Sequence, residues 1–150
     1  MKEQSLFTLV QKFLLLHLRS TKGLSENSIQ SYRDTLRLFF SYIAIKKKKK
    51  TSRLNLDDFS VPIVLDFLEY SEVTRKNKAR TRNHRLALLR VFFSYLLVND
   101  EERAGVYEKI LLISTKREYH PPIECLEAKE MGAILNTIDL SSSKGVRDRA

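Results

Sequence analysis

Apolar residues that recur at steps of three and four most constrain how this 150-residue chain can fold. Such spacing places the apolar side chains on one face of a helix, and that face must be buried against another element. Few helix breakers interrupt the pattern, because the chain has only four glycines and three prolines. The pattern occurs in five segments, with apolar stripes within residues 6–14, 29–43, 63–68, 86–97 and 131–138. The sequence therefore predicts an all-α protein.

Serine residues predict where several helices begin, since a serine side chain can accept a hydrogen bond from the free amides of a first turn. Ser25, followed by Glu26 in the first turn, predicts the start of the second helix. The third helix is expected to begin near Ser60, with Pro62 in its first turn, where a missing N–H does no harm. The other helices are expected over residues 5–19, 77–98 and, as a short addition, 106–113. Five consecutive lysines at positions 46–50 predict a solvated loop, because like charges repel each other.

The distribution of large apolar residues predicts a bundle followed by a second, incomplete domain. The first four helices carry most of these residues and should form a four- to five-helix bundle over residues 1–113. Residues 114–125 are polar and contain Pro121 and Pro122, which favour an extended linker. Residues 126–150 would begin the second domain, with a helix over 127–138 and a helix start at 146–150 that has no room to continue.

Positive charge is concentrated in the middle of the chain. The net charge is +9, and residues 31–100 hold 15 Lys/Arg against 7 Asp/Glu, whereas residues 121–150 hold 4 against 5. Such an excess favours a polyanionic partner. The chain contains no apolar stretch long enough to cross a membrane and no signal-peptide pattern. We therefore expect a cytoplasmic protein with no membrane partner.

The sequence does not indicate catalytic or metal chemistry. The histidines, His17, His84 and His120, are too far apart for metal-ligand spacing, and His17 is expected to be a partly buried core residue. Cys125 is the only cysteine, so no disulfide can form within the chain. There is no glycine-rich phosphate loop and no acid–base pair. We predict no catalytic residue, no metal and no cofactor.

The most informative segment is a basic cluster at the start of the fourth helix. Residues 75–90 contain seven Lys/Arg and no acid, at a helix end whose free amides already favour anions. A helical wheel places Arg80 and His84 away from the core with Thr81 adjacent, Arg82 toward the bundle and Arg85 on the flank. A basic run can be simply a solvated face, but the acid-free window and the net charge favour nucleic acid. The predicted DNA-binding residues here are Lys76, Lys78, Arg80, Thr81, Arg82, His84 and Arg85.

A second candidate contact region is the start of the second helix. Its residues Asn27, Ser28, Gln30 and Ser31 lie off the apolar stripe and could contact phosphates or base edges. Helix capping together with a solvated polar face is the other interpretation of these residues.

Three blocks of this sequence together resemble the tyrosine recombinase (phage integrase) family. Residues 23–36 resemble the first characteristic block of that family and residues 79–95 the second. Residues 126–131 and 145–150 resemble the entrance to its catalytic domain. Residues 102–107 lack the Asn-Pro common in the Xer branch, so the chain looks more like recombinases of transposons and other mobile elements.

The resemblance implies a helical core-binding domain with a SAM-like fold that clamps duplex DNA. Its second and fourth helices would enter or border the major groove, and other recombinase protomers would join it in a synaptic tetramer. In such enzymes a tyrosine attacks the scissile phosphate, helped by arginines and a histidine and without a metal. The family's catalytic residues would lie beyond Ala150, and Arg147 and Arg149 do not match them, so this chain alone should be inactive.

Two other functions remain open from the sequence. The bundle could be a stand-alone DNA-binding regulator, or a helical protein-interaction module whose basic face only keeps it soluble. DNA binding with a strong salt dependence would separate the recombinase part and the regulator, which both bind DNA, from the interaction module.

Overall fold

The structure is a computed structural model that describes residues 4–118. These residues form a bundle of helices. Their bounds are α1, Leu6–Lys12; α2, Glu26–Lys47; α3, Val61–Val73; α4, Ala79–Asn99; and α5, Ala104–Leu111. The all-α prediction is confirmed, and each predicted helix within these residues is present. The predicted helix over 127–138, the helix start at 146–150 and most of the predicted linker lie outside the described residues. Within the described part, no helix is sufficiently long and apolar to cross a membrane.

Serine caps set the start of three helices, and the cap predicted at Ser25 is confirmed. The Oγ atoms of Ser5, Ser25 and Ser60 accept hydrogen bonds from the amides of Thr8, Ser28 and Ile63 at 3.3, 3.3 and 3.4 Å. Each bond satisfies an amide of the first turn that has no partner within the helix.

The first helix continues beyond α1 as a π-helical segment, Phe13–Thr21. Gly23 then takes a left-handed φ of 61°, which a residue without Cβ adopts at little cost. This turn lets the amide of Leu24 donate to the carbonyl of Leu18 at 3.0 Å before α2 begins.

Phenylalanine rings hold α2, α3 and α4 together. The ring of Phe39 lies 5.0 Å from that of Phe67 on α3 and 6.2 Å from that of Phe93 on α4, between centroids. Phe59 contacts Phe93 at 5.4 Å, and Phe13 brings the π-helical segment to Phe92 at 5.2 Å. These rings are almost fully buried, so each contributes roughly 1.5–3 kcal/mol of transfer free energy. The predicted inward faces are confirmed; Phe92 is an additional core residue.

Tyr107 joins α5 to this core. It is fully buried and its ring lies 5.9 Å from Phe93. Its hydroxyl donates to Asp100 Oδ2 at 2.6 Å, and burial together with this bond raises the pKa of Tyr107. Arg103 donates to Asp57 Oδ1 at 2.7 Å and pairs with Asp100 at 3.2 Å. The short helix is therefore fixed by one buried ring and a network of charged hydrogen bonds.

The lysine run is only partly a solvated loop, so that prediction was wrong for its first two residues. Lys46 and Lys47 belong to α2, and Lys48 ends the helix with a left-handed φ of 53°. The Nζ atoms of Lys47 and Lys49 lie 3.3 and 2.8 Å from Oδ1 of the buried Asp58. Lys46 pairs with Asp66 of α3. Carboxylates that are distant in sequence offset the repulsion that would otherwise unwind the helix end.

The chain after α5 runs back along α4, and we call residues 113–118 the return segment. Arg90 donates to the carbonyl of Ile113. The Asn83 side chain accepts from the amide of Lys116 at 2.8 Å and donates to its carbonyl at 2.6 Å. The Lys116 ammonium lies 2.6 Å from Glu72 Oε2. The part of the predicted linker that the structure describes is thus held on the bundle, and the domain limits remain a prediction.

Replacing Phe93 by alanine tests the aromatic core. We expect Phe93→Ala to lower the free energy of unfolding by about 3–5 kcal/mol, because it leaves a cavity among four rings. Chemical denaturation followed by circular dichroism measures this change. Val98→Ala on the same helix is the control: Val98 is 78% exposed, so its loss should cost less than about 0.5 kcal/mol. Equal effects of the two changes would contradict the packing described.

Replacing Asp58 by asparagine tests the buried ion pairs. Burial alone would raise the pKa of Asp58, but hydrogen bonds from Lys49, the Asn55 amide and Lys47 outweigh it and leave the pKa below its usual value. A lowered folded-state pKa means that ionised Asp58 stabilises the fold at neutral pH. That stabilisation is lost as pH falls through the folded-state pKa.

We therefore expect Asp58→Asn to lower the free energy of unfolding by about 1–3 kcal/mol at pH 7. The difference from the wild type should shrink between about pH 5 and pH 2. Denaturation series at several pH values measure it. Glu69→Gln removes an exposed carboxylate that pairs with no cation among residues 4–118, and it should change stability by less than about 0.5 kcal/mol at pH 7. A constant difference for Asp58→Asn across the pH series would argue against the ionic role.

Candidate nucleic-acid interface

The basic cluster begins in the tight connection between α3 and α4. The amide of Arg75 donates to the carbonyl of Tyr70 at 3.2 Å, and that of Asn77 to the carbonyl of Ser71 at 3.1 Å. Lys76 between them has a left-handed φ of 53°. These bonds keep Asn77 out of the helix, so α4 begins at Ala79, two residues later than predicted. Lys76 and Lys78 are exposed at this end of the molecule.

The first turn of α4 has its amides available for an anion. Lys78 is the N-cap, and its side chain makes no capping hydrogen bond. No acidic residue occupies the first turn. A 21-residue helix with an uncapped, acid-free start presents free N–H groups and the positive end of its dipole.

Arg80 and His84 lie one turn apart on the solvent side of this helix start. Both are exposed, and neither forms a hydrogen bond or an ion pair with any residue in 4–118. Thr81, which the wheel places next to them, is half-buried. The outward orientation inferred from the sequence is confirmed, whereas a contact with DNA remains a prediction.

Arg82 points to the bundle, as the wheel predicts. Its side chain is only 14% exposed, and its Nε lies 3.7 Å from Glu72 Oε1. Its Nη1 also donates to Asn83 Oδ1 at 3.1 Å. Arg82 therefore helps to fix α4 against α3, which leaves little of its guanidinium for a ligand.

Arg85 faces a cleft between α4 and α2. The cleft has a volume of about 380 Å³ and is lined by Arg85, Arg75 and, from the middle of α2, Asp34, Thr35, Arg37, Leu38 and Ser41. The Nη1 atom of Arg85 is buried without a hydrogen-bond partner. Burial, and next the positive charge of Arg75, lower the pKa of the Arg85 guanidinium. We call this cleft, with Arg37, Arg75 and Arg85, the arginine cleft.

The predicted residues of α2 are mostly engaged in local hydrogen bonds. Ser28 Oγ accepts from Ser25 Oγ at 3.1 Å, and Ser31 Oγ donates to the carbonyl of Asn27 at 3.2 Å. Gln30 donates to Asp34 Oδ1 at 2.8 Å. Asn27 is exposed, and its side-chain amide makes no hydrogen bond with the described residues. Capping by Ser25 accounts for Ser28 and a hydrogen bond within the helix accounts for Ser31, while Asn27 stays available for a ligand.

The two predicted regions are related through the arginine cleft. Among residues 4–118, no hydrogen bond or ion pair joins Asn27–Ser31 of α2 directly to the start of α4. Asp34, which Gln30 binds, nevertheless lines the same cleft as Arg85. Our sequence interpretation missed Arg37, which lies seven residues after Gln30 and so on the same side of the helix. The seven-residue spacing between Gln30 and Arg37 was the sequence signal that could have identified Arg37.

The remaining titratable groups do not form a reactive site in the described part of the chain. His17 is partly buried, and its ring lies 5.7 Å from Phe13 and 5.0 Å from Tyr95. Burial, and then Lys22, lower the pKa of His17, which agrees with the predicted core histidine. Over residues 4–118, no cluster of His, Cys, Asp and Glu could hold a metal ion. The geometry described here is suited to binding an anion.

Comparisons with known proteins agree on one family. The profile of the phage integrase N-terminal SAM-like domain matches residues 10–99. Protein y4rC of Sinorhizobium fredii, described as an integrase/recombinase, is 32% identical over 99% of this chain and 45% of its own length. Protein y4rD of the same organism is 30% identical over 94% of the chain and 50% of its length.

A further relative is the tyrosine recombinase XerC of Staphylococcus saprophyticus, 31% identical over 93% of the chain and 44% of its own length. The chain thus spans about half the length of these relatives. No solved structure matches it significantly. The family profile covers more than half of the chain, including α2, α3 and α4 with the basic cluster. The chain therefore belongs to the phage integrase family of tyrosine recombinases.

Proposed function

We propose that this chain binds duplex DNA sequence-specifically, as the DNA-binding part of a site-specific tyrosine recombinase. One observation carries the proposal: Arg80 and His84 are exposed at the acid-free start of α4, with no carboxylate partner in the described bundle. Their positive or polar groups stand beside free helix amides, so the helix end gathers hydrogen-bond donors and positive charge that favour an external anion. A nucleic-acid backbone supplies such anions at regular spacing.

The arrangement offers contacts of two kinds. Arginine can donate two hydrogen bonds to the O6 and N7 atoms of guanine in the major groove, so Arg80 is the proposed base-reading residue. His84 and Thr81 add polar contacts from shorter side chains. Lys76 and Lys78 add phosphate contacts that position the helix without selecting sequence. Asn27 at the start of α2 is the proposed second base-edge contact. Arg82 contributes by holding α4 in place.

The relatives described as integrases and recombinases are about twice as long as this chain. We propose that DNA cleavage and rejoining depend on a catalytic domain of the kind suggested by residues 126–150, and that protomers assemble as a tetramer on two DNA sites. A role in a mobile element and an association with the nucleoid belong to the same proposal. These assignments rest on family membership and not on the geometry of the bundle.

Salt dependence of DNA binding tests the proposed function. If the bundle neutralises about five phosphates, the logarithm of affinity should fall with the logarithm of salt concentration at a slope of about −4 to −5. Fluorescence anisotropy measures it, with a duplex obtained by selection from a random pool. Absence of binding, or a response independent of salt, would favour the interaction module instead. A stand-alone regulator would bind equally well, but no catalytic domain would follow in the reading frame.

Replacing Arg80 by alanine tests base reading. We expect Arg80→Ala to weaken binding to the selected duplex by about 1–3 kcal/mol and to reduce discrimination at one base-pair position. Anisotropy with a set of singly substituted duplexes measures both effects. Arg53→Ala, which removes an exposed arginine outside the cluster and the cleft, is the control and should leave the ranking of duplexes unchanged. A uniform loss over all duplexes would assign Arg80 to phosphate contact only.

A further inference from the structure

Three separate parts of the chain each contribute one arginine to the arginine cleft. Arg37 comes from the middle of α2, Arg75 from the α3–α4 connection and Arg85 from the second turn of α4. Their convergence requires the tertiary fold, because neither a single helix face nor a run of basic sequence brings them together.

The three guanidinium groups lack anionic partners. No ion pair joins any of them to a carboxylate of residues 4–118. Asp34 is the single carboxylate in the lining of the cleft, and its Oδ1 already accepts a hydrogen bond from Gln30. By contrast, Arg82 on the same helix is paired with Glu72, and Arg103 is paired with Asp57 and Asp100. Arg82 and Arg103 thus have carboxylate partners, whereas the three arginines of the cleft have none among residues 4–118.

Arg85 is the group for which this arrangement is most unfavourable in the free protein. Its side chain is half-buried, and Nη1 lies out of solvent with no acceptor. A buried donor without an acceptor is destabilising, and a nearby like charge adds to that effect. The lowered pKa of Arg85 has the same two origins, burial and Arg75. An anion in the cleft would accept a hydrogen bond from Nη1 and offset the repulsion between Arg85 and Arg75.

We propose that the arginine cleft binds one phosphate group of the DNA backbone, with Arg85 donating from its floor and Arg37 and Arg75 from its rim. This inference rests on the proposed DNA binding and adds a specific phosphate site to it. Arg37 and Arg75 are exposed, so they can reach an anion arriving from solvent. The planar fork of a guanidinium matches two phosphate oxygens at once, which a lysine cannot do.

The position of the cleft makes a backbone phosphate the expected occupant. Arg75, which lines the cleft, is exposed and belongs to the same basic cluster as Arg80 and His84. A strand contacted by those residues therefore passes close to the cleft. A phosphate held there would fix how far α4 enters the groove, while carrying no sequence information itself. The cleft would thus set the register in which Arg80 reads bases.

The test compares Arg85→Met with the wild type and with the control Arg53→Met. Methionine keeps an unbranched stem of similar packing, and the control removes one exposed arginine that does not line the cleft. Duplex affinity is measured at several salt concentrations. We expect the slope of log affinity against log salt concentration to be shallower by about 0.9 for Arg85→Met. The ratio of wild-type to variant affinity should then fall about threefold to fourfold between about 50 and 200 mM salt. The loss should be the same for every duplex sequence.

The outcomes separate this inference from the proposed function. If the wild type binds and Arg85→Met follows a parallel salt line, the cleft holds no phosphate, although DNA binding stands. If the wild type binds no duplex, both proposals fail. Should Arg85→Met not fold, as judged by circular dichroism, Arg75→Met in the exposed α3–α4 connection provides the same comparison and the same criteria.

A second measurement distinguishes a DNA phosphate from a free anion. Melting temperatures are compared in inorganic phosphate and in chloride at equal ionic strength, and Arg53→Met gives the general salt effect. We expect phosphate to raise the melting temperature of the wild type more than that of Arg85→Met, because it occupies the same donors. Equal increases in all three proteins would contradict a built phosphate site. A selective increase combined with parallel DNA salt lines would show a free-anion site and overturn the DNA assignment.

Discussion

Ring packing between α4 and the helices beneath it is the interaction on which the rest of the bundle depends. Phe93 contacts the rings of Phe39, Phe59 and Tyr107, so one side chain ties α4 to α2, to the α2–α3 connection and to α5. Because these rings are buried, the rotation of α4 about its axis is fixed. That rotation decides which residues of its first turns face solvent. The exposed position of Arg80 is therefore a consequence of the aromatic core 13 residues further along the helix.

The arginines of α4 show how one residue type serves different purposes in one helix. Arg82 pairs with Glu72, and Arg90 donates to the carbonyl of Ile113. Both hold neighbouring parts of the chain against α4. Arg80 and Arg85 have no such partner in the described residues: Arg80 faces solvent, and Nη1 of Arg85 is buried without an acceptor. Side-chain direction and tertiary neighbours, rather than local composition, distinguish the structural arginines from those available to a ligand.

Much of the fold was predictable because its determinants are local. Serine caps and apolar periodicity depend on residues within a few positions, and they predicted the starts of α2 and α3 correctly. The lysine run was misjudged because its partners, Asp58 and Asp66, come from the following turn and helix. The wheel gave the directions of Arg80 and Arg82, but it could not reveal the cleft. That cleft depends on where α2 approaches α4, which no periodicity in either helix specifies.

The placement of acids decides where the positive charge of this chain is available. The most basic stretch of sequence, the lysine run, is partly neutralised by Asp58 and Asp66. Glu72 similarly pairs with both Arg82 and Lys116. No carboxylate enters the first turn of α4, where Arg80 lies. The helix start and the arginine cleft accordingly keep basic side chains that no acid of residues 4–118 pairs with, although the longest run of lysines lies elsewhere. A surface that attracts a polyanion is thus shaped as much by the positions of the acids as by the number of bases.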